Sequence, residues 1–501
     1  MSPLLLAVRR LTQLFGMLAV PLLVNGQNAF SPGGNDYVIA GALGGDQTAP
    51  QAAVNAAGGF VVWQDNSVNV NGLRIRAQRL NSSLTRSQLP FSVSSVAGVA
   101  NVGDQEKPQV ALLKNGGAVF VWQGGRFGFQ KIYARFCAPD GTFVTSDIRV
   151  NTYTNNFQVN PSVATLADGN VVIVWASDGQ DGDMQGIFGQ RLSPVGAKLG
   201  AEFQINEWTF RNQRTPTVAA LANTNFVVVW VSELQRGSAT VDIYARLFDA
   251  TGIAAGDEFP VNPSTTNACA NPVVSGSPEG GFAVAWSQKD DVLLAAGSQF
   301  GVLVPAVQPS KSTNGWDVVG RLFNANGSAA SGDFFLNTKR YGDQYGPKIA
   351  AFGRHYLAVW TSFGQDDSRE GIYGQFLRAD ASLFGEEFRV NTTTISRQML
   401  PAIATDGVNR FLVLWSSFRA GTSFDLFARS YDLIRLETVA TPQGVILSWN
   451  TQPGLVYRVQ TSNDNEMWSD FGSPRTAVGS GDSITISPAS GSAFYRVIRP
   501  Q

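Results

Sequence analysis

The sequence predicts an all-β protein, a seven-bladed β-propeller whose N-terminal strand closes the last blade, followed by a small β-sandwich. Three observations predict it. A unit of four short apolar segments recurs along the chain; its landmark prolines are mostly 53 to 58 residues apart; and the last copy lacks a strand that the N-terminus supplies. Composition agrees: with 52 glycines, 11% aromatic and only 15% charged residues, short Val/Ile/Phe runs alternate with Gly, Asn and Asp turns.

The chain starts outside that fold. Arg9 and Arg10 precede an apolar run from Leu11 to Val24, and Val24-Asn25-Gly26 offers residues a signal peptidase accepts. Residues 1–26 read as a secretory signal peptide cleaved near Gly26–Gln27, with a twin-arginine signal as a variant, and residues 27–35 as a linker. The run is short and Pro21 interrupts it, which disfavours an anchor. No other stretch is long enough for a bilayer, so no membrane span is expected in the mature chain.

Residues 36–432 carry the repeat. Each unit opens on a proline: Pro50, Pro108, Pro161, Pro216, Pro272, Pro347 and Pro401. The second strand is an apolar run ending in Trp63, Trp122, Trp175, Trp230, Trp286, Trp360 or Trp415. The third follows the pattern of "IFGQRL" (187–192) and "IYARLF" (243–248), and the fourth that of "EFQIN" (202–206) and "EFRVN" (387–391). From the final Asn of the fourth strand to a Gln or Cys three before the next proline is always seven positions, as from Asn151 to Gln158, so this loop has one backbone geometry. Four antiparallel strands with Gly or Asp-Gly turns make a propeller blade. After "LFARSY" (426–431) no fourth strand follows, but "DYVIA" (36–40) matches one, and Ala40 to Gln47 is again seven positions. Pairing of 36–40 with 426–431 would seal the ring and remove its open edges.

In this reading the Val/Ile runs are buried on both faces, and the repeated tryptophans pack between blades rather than against a ligand. Small residues in the third strand, such as Ala77, Gly189 and Gly374, leave room for that bulk. The Gln before each proline satisfies backbone groups in a buried turn.

The unit resembles a repeat of large secreted and surface proteins of bacteria, with the pattern Gln-x-x-Pro-x-Val-Ala-x-Leu, Asp-Gly, a Val-rich strand ending in Trp, "QDG", "GQ" and "EF-x-V-N". Residues 157–206 match nearly end to end, and the resemblance spans about four-fifths of the chain. In that family the repeat often stands beside cadherin-like or RTX calcium-binding modules. The resemblance implies a propeller outside the cell, on the surface or secreted, with a binding or adhesion role. From Leu433 the pattern stops. Residues 433–501 alternate apolar and polar positions between Pro/Gly turns, the pattern of a β-sandwich, and "LSW", "YRVQTS" and "FYRV" resemble fibronectin-type-III-like modules. Trp449 suits core packing there, and Trp468 core packing or sugar stacking equally.

Chemistry is sparse. A formal charge of −1 without long charged runs gives nucleic acid no footprint. His355 is the only histidine and sits in a strand pattern, which removes Ser-His-Asp and Cys-His schemes and most zinc sites. Cys137 and Cys269 map across the ring, beyond the ~7 Å reach of a disulfide, so both thiols are expected free. Acids for a carboxylate-based hydrolase remain on one rim: Asp290, Asp291, Asp317, Asp366, Asp367 and Glu370. Asp178, Asp181 and Asp183 in "SDGQDGDMQG" are the metal candidates, for calcium; their spacing departs from an EF-hand loop, only "SFGQDDSREG" is as acidic, and a turn with solvated carboxylates is the default, so no cofactor is assigned.

The loops between second and third strands share a rim with the loops entering each unit. The fifth unit has an apolar insertion there: Trp286 lies 32 residues from Val318, where Trp175 lies 12 from Ile187. Trp208, Tyr153, Tyr341, Tyr345 and Trp316 are the candidate ligand-binding residues on this rim, unless they pack loop against loop. Two readings stay open: a secreted binding or adhesion protein for an extracellular glycan or protein, and a secreted polysaccharide hydrolase or lyase with carboxylates on the rim.

Overall fold

The structure is a computed structural model. It describes residues 29–499 except 42, 67–71, 96–102, 239, 290–314, 341, 420–422, 465–466 and 487–493. The protein is all-β: every regular element among these residues is a strand, and no helix is long and apolar enough to cross a membrane. Contacts divide the chain into two compact units, residues 35–430 and residues 29–34 with 431–499. The first 26 residues and most of the fifth unit's insertion lie outside the described residues.

Within residues 35–430 the strands form successive antiparallel groups. One runs Gln158–Thr165, Val171–Asp178, Gln185–Leu192 and Lys198–Gln204, each paired with the next. Equivalent groups occupy 47–92, 104–149, 213–260, 268–335 and 344–389. A single parallel bridge, Val241 to Ala268, joins two of them into one sheet. In the last group, Gln398–Thr405, Arg410–Arg419 and residues 423–430 are joined by Tyr37–Val38, which pairs with Ala428 and Phe427; the Ile39 N–H donates to the Leu426 carbonyl at 3.0 Å.

Each group packs on the one before it. The second strands are apolar throughout and buried on both faces, as in Val171–Asp178. Trp122 shares a core with Phe60 and Val62, Trp175 with Val119 and Val121, and Trp230 with Val172 and Val174. Trp286 packs with Val227 and Val229, and Trp360 with Ala283 and Ala285. Trp63 of the first group shares a core with Ala402, Leu412 and Leu414 of the last. All seven tryptophans are at most 1% exposed.

The space at the small third-strand residues serves a different neighbour from the expected tryptophan. A Cβ on Gly189 would lie 2.9 Å from the Phe203 ring, and one on Gly320 2.9 Å from Phe334. Those phenylalanines stand directly opposite in the fourth strand, as Phe388 stands opposite Gly374. The small residue therefore matches the Phe of the "EF-x-V-N" strand within the same group.

The other unit has two small sheets: Leu436–Thr441, Gly444–Asn450 and Gly481–Ile486 in one, and Val456–Ser462 with Ser469–Asp470, Arg475–Thr476 and Phe494–Ile498 in the other. Leu447, Trp449, Tyr457, Val459, Tyr495 and Val497 form its core, so Trp449 is a packing residue. Ala29–Pro32, read from sequence as linker, pairs with Tyr431–Ile434. Cys137 and Cys269 are free and buried, and burial pushes their thiols up to about 11 and about 12.

Replacing Trp175 by Ala should lower the unfolding free energy by about 3–5 kcal/mol, measured by denaturant titration of the full chain. An unchanged midpoint would show that the inter-sheet core does not depend on this indole.

Candidate functional site

Two places in residues 35–430 concentrate features that packing alone does not use: the cavity that the first strands line, and the rim where the loops gather.

At the cavity, the residue before each repeat proline has a left-handed backbone: Ala49, Lys107, Asn160, Thr215, Asn271, Gly346 and Leu400 have φ between 50 and 61°. Each strand shifts register there, for example between Val159 and Ser162. This is a β-bulge, which bends the strand and leaves one residue outside the ladder. At three of these positions the freed N–H turns to the neighbouring group: Lys107 donates to Gln64 Oε1 at 2.9 Å, Asn160 to Gln123 Oε1 at 2.8 Å and Gly346 to Ser287 Oγ at 3.0 Å. Those acceptors directly follow Trp63, Trp122 and Trp286 in sequence.

The seven prolines and their neighbours line a half-open cavity of about 320 Å³. Lys107 and Lys348 line it, and none of the described residues lining it is a carboxylate. Burial, and secondarily the charge of Lys107, pull the Lys348 ammonium down to about 8. The hydroxyls of Thr215 and Thr217, also lining residues, are buried without a hydrogen-bond partner. Tyr345 lines the cavity as well; burial, then Glu370 and Asp343, raise its hydroxyl pKa.

The rim is held by a repeated carboxylate latch. Glu202 accepts from Gln180 and from the backbone N–H of Thr152 in the preceding group, at 2.5 and 2.6 Å. Glu258 does the same for Gln235 and Glu207, and Glu387 for Gln365 and Thr338. Asp147 holds the Ser95 N–H, and Asp36 of the N-terminal segment holds Thr392. The acid of "EF-x-V-N" and the Gln of "QDG" are thus partners. The seven-residue spacing has an equally local cause: Asn151 Nδ2 donates to Gln158 Oε1 at 3.0 Å, and Asn151 Oδ1 accepts the Ile132 N–H. Gln158 Nε2 then donates to the Asn155 carbonyl, satisfying the turn as expected.

The predicted site residues separate. Trp208 is exposed, edge-to-face with Phe210 at 6.3 Å, and its backbone N–H donates to Glu258. Tyr153 reaches the Gly179 carbonyl at 3.5 Å, packing loop against loop. Tyr345 belongs to the cavity. Trp316 is half-buried at a strand start, with its N–H on Asp343. Tyr341, Asp290 and Asp291 lie outside the described residues. Asp183 accepts the Arg211 N–H and Asp181 the amide of Asn206, while burial raises the carboxyl pKa of both Asp178 and Asp181. Among the described residues no cluster of three or more His, Cys, Asp or Glu is placed to hold a metal ion.

Two of the rim acids, Asp317 and Glu370, have structural partners. Asp317 accepts from Asn337 at 2.7 Å and pairs with Arg340 at 3.2 Å; Glu370 lies 3.5 Å from Arg397. Asp181 packs where a Cβ on Gly186 would stand, and Asp366 crowds Gly371 likewise. Asp242 and Asp317 themselves occupy the strand position held by Gly186. His355 packs on Phe384, its imidazole pKa lowered by burial and by Arg378 and Arg354.

Sequence reasoning missed the exposed rim phenylalanines. Phe127 is 95% and Phe129 65% exposed, and Phe210, Phe363 and Phe418 are exposed too. It also missed Lys107 and Lys348, which flank ring prolines Pro108 and Pro347.

No protein-family model and no curated protein matches the sequence. Among solved structures, the chain is similar to a protein of unknown function from Dyadobacter fermentans at 11% identity, over 66% of this chain and 94% of that one, with a TM-score of 0.45. It is similar to the Penicillium chrysogenum α-L-arabinanase complexed with arabinobiose at 14% identity, over 80% and 96%, with a TM-score of 0.42. It is similar to the polysaccharide lyase Uly1 at 8% identity, over 76% and 90%, with a TM-score of 0.46.

Glu258→Ala removes the acceptor shared by Gln235, Glu207 and Trp208. It should cost about 1 kcal/mol and speed amide exchange at Glu207 and Trp208, read by hydrogen–deuterium exchange. Unchanged protection at both amides would refute the latch.

Proposed function

We propose that residues 35–430 form a seven-bladed propeller, sealed by the N-terminal strand, that works outside the cell and takes a polysaccharide across its loop rim. The observation that carries this is the set of exposed aromatic side chains on that rim: Phe127, Phe129, Trp208, Phe210, Phe363 and Phe418. Exposed rings cost solvation unless a ligand covers them, and flat aromatic faces suit the apolar faces of sugar rings. Arg9, Arg10 and the following apolar run support export.

Turnover of that polysaccharide is the second reading, and one observation favours its lyase form. Elimination next to a sugar carboxylate needs a base that is partly neutral near pH 7 and an acid for the leaving oxygen. Lys348, at about 8, and Tyr345 line one cavity. The hydrolase form needs two carboxylates free to act, and Asp317 and Glu370 are held by arginines.

Purified protein should bind an immobilised polysaccharide, and the double variant Trp208→Ala/Phe210→Ala should weaken that binding about tenfold. Chromatography of the bound polymer then decides its fate. Unsaturated products assign a lyase, new reducing ends without unsaturation a hydrolase, and an intact polymer a binding protein. Absence of binding to any of a panel of neutral and acidic polysaccharides would refute the proposal.

A further inference from the structure

We propose that the proline-ringed cavity is an oxyanion site, in which Lys107, Lys348, Thr215 and Thr217 receive the carboxylate or sulfate group of an acidic sugar. The choice of a sugar rests on the polysaccharide reading above; the oxyanion chemistry does not.

Charge is the first argument. A cation withdrawn from water is normally paired, because an isolated buried charge is strongly disfavoured. Lys348 is half-buried and Lys107 exposed, and none of the described residues lining the cavity they share is a carboxylate. The influences that shift Lys348 are burial and Lys107, both unfavourable to its positive charge. The cavity is therefore short of negative charge, and an anion would supply it.

Unused donors are the second. Buried hydroxyls in folded proteins nearly always have partners, yet those of Thr215 and Thr217 have none. The two flank Pro216 in the same wall of the ring. Their oxygens are turned away from solvent, so a χ1 rotation would bring each to the cavity, where a hydroxyl donates one hydrogen bond to an oxyanion and an ammonium up to three.

Size and position agree. About 320 Å³ lies at the lower end of ligand pockets, enough for one sugar-sized group. Each bulge lies within three residues of the strand start on the side of the entry loops, as Asn160 does in Gln158–Thr165. The cavity therefore sits beneath the aromatic rim, where an acidic side group of a rim-bound chain would point.

The test uses the full chain at pH 7 and calorimetry with sodium sulfate, sodium glucuronate and glucose. Sulfate and glucuronate should bind and glucose should not. Lys348→Met should weaken sulfate about tenfold, and Thr215→Val/Thr217→Val severalfold, while Lys198→Met on an outer strand leaves it unchanged. Should Lys348→Met fail to fold, the wild type still reports. Pyridoxal 5′-phosphate condenses with a neutral amine, releasing water, and borohydride hydride fixes the imine; peptide mapping should find Lys348 labelled and sulfate should protect it.

Sulfate binding that survives Lys348→Met, or labelling that sulfate does not block, overturns the site. Sulfate binding without glucuronate binding overturns the acidic-sugar assignment. Loss of polysaccharide binding in Trp208→Ala/Phe210→Ala with sulfate binding intact places the two sites on separate footings, as does rim binding that persists in Lys348→Met.

Discussion

The structure depends on the bulge before each repeat proline. A non-glycine residue in the left-handed region is strained, at a cost of order 1–3 kcal/mol each, and here six of the seven positions are not glycine. The strain persists because the surroundings over-determine it. Proline has no N–H to lose from the ladder at the bulge, and at Lys107, Asn160 and Gly346 the N–H before it is satisfied by a residue of the neighbouring group. In those three cases the acceptor comes directly after the buried tryptophan. In those groups the bulge, the hydrogen bond across the groups and the inter-sheet core are one device, and the seven bulge prolines line one cavity.

A second recurring constraint explains why the acidic loop looked like a metal site. Near the Asn that ends the fourth strand, a carboxylate is supplied in two ways. In one group Asp181 reaches over from the loop and Gly186 leaves the space for it. In others the acid sits on the strand itself, as Asp242 accepting from Asn262 and Asp317 accepting from Asn337. Loop acidity and strand acidity are alternatives for one job. An Asp in the loop beside a Gly on the strand thus holds the strand-ending Asn as an Asp on the strand itself does.

The legible parts of the sequence were those that repeat. The strands, the repeat prolines, the buried tryptophans and the Asn-to-Gln spacing each leave the same mark several times, and each has a local cause, such as the bond between Asn151 and Gln158. The pairing of Tyr37–Val38 with Phe427 and Ala428 was legible because one missing motif matched one spare motif. The rim phenylalanines and the cavity lysines were not, because they differ between copies and nothing in a single stretch marks them. The purpose of small third-strand residues was misjudged for another reason. The space at Gly189 is set by register with Phe203, and register across two strands was not read from the motifs alone.

The repeat itself limits where function can reside. Positions that every group shares are occupied by the needs of packing and of backbone hydrogen bonding, since changing one breaks the match with its neighbour. A ligand must then be recognised by departures from the repeat. The triplets around the seven prolines make the point: among them only Lys107 and Lys348 carry charge, and they are 241 residues apart (348 − 107). The fold brings both to one cavity without any local motif joining them. Strong local periodicity and a non-periodic site are therefore consequences of the same architecture: the first fixes the cavity, and the second is what a sequence can place around it at no cost to the ladder.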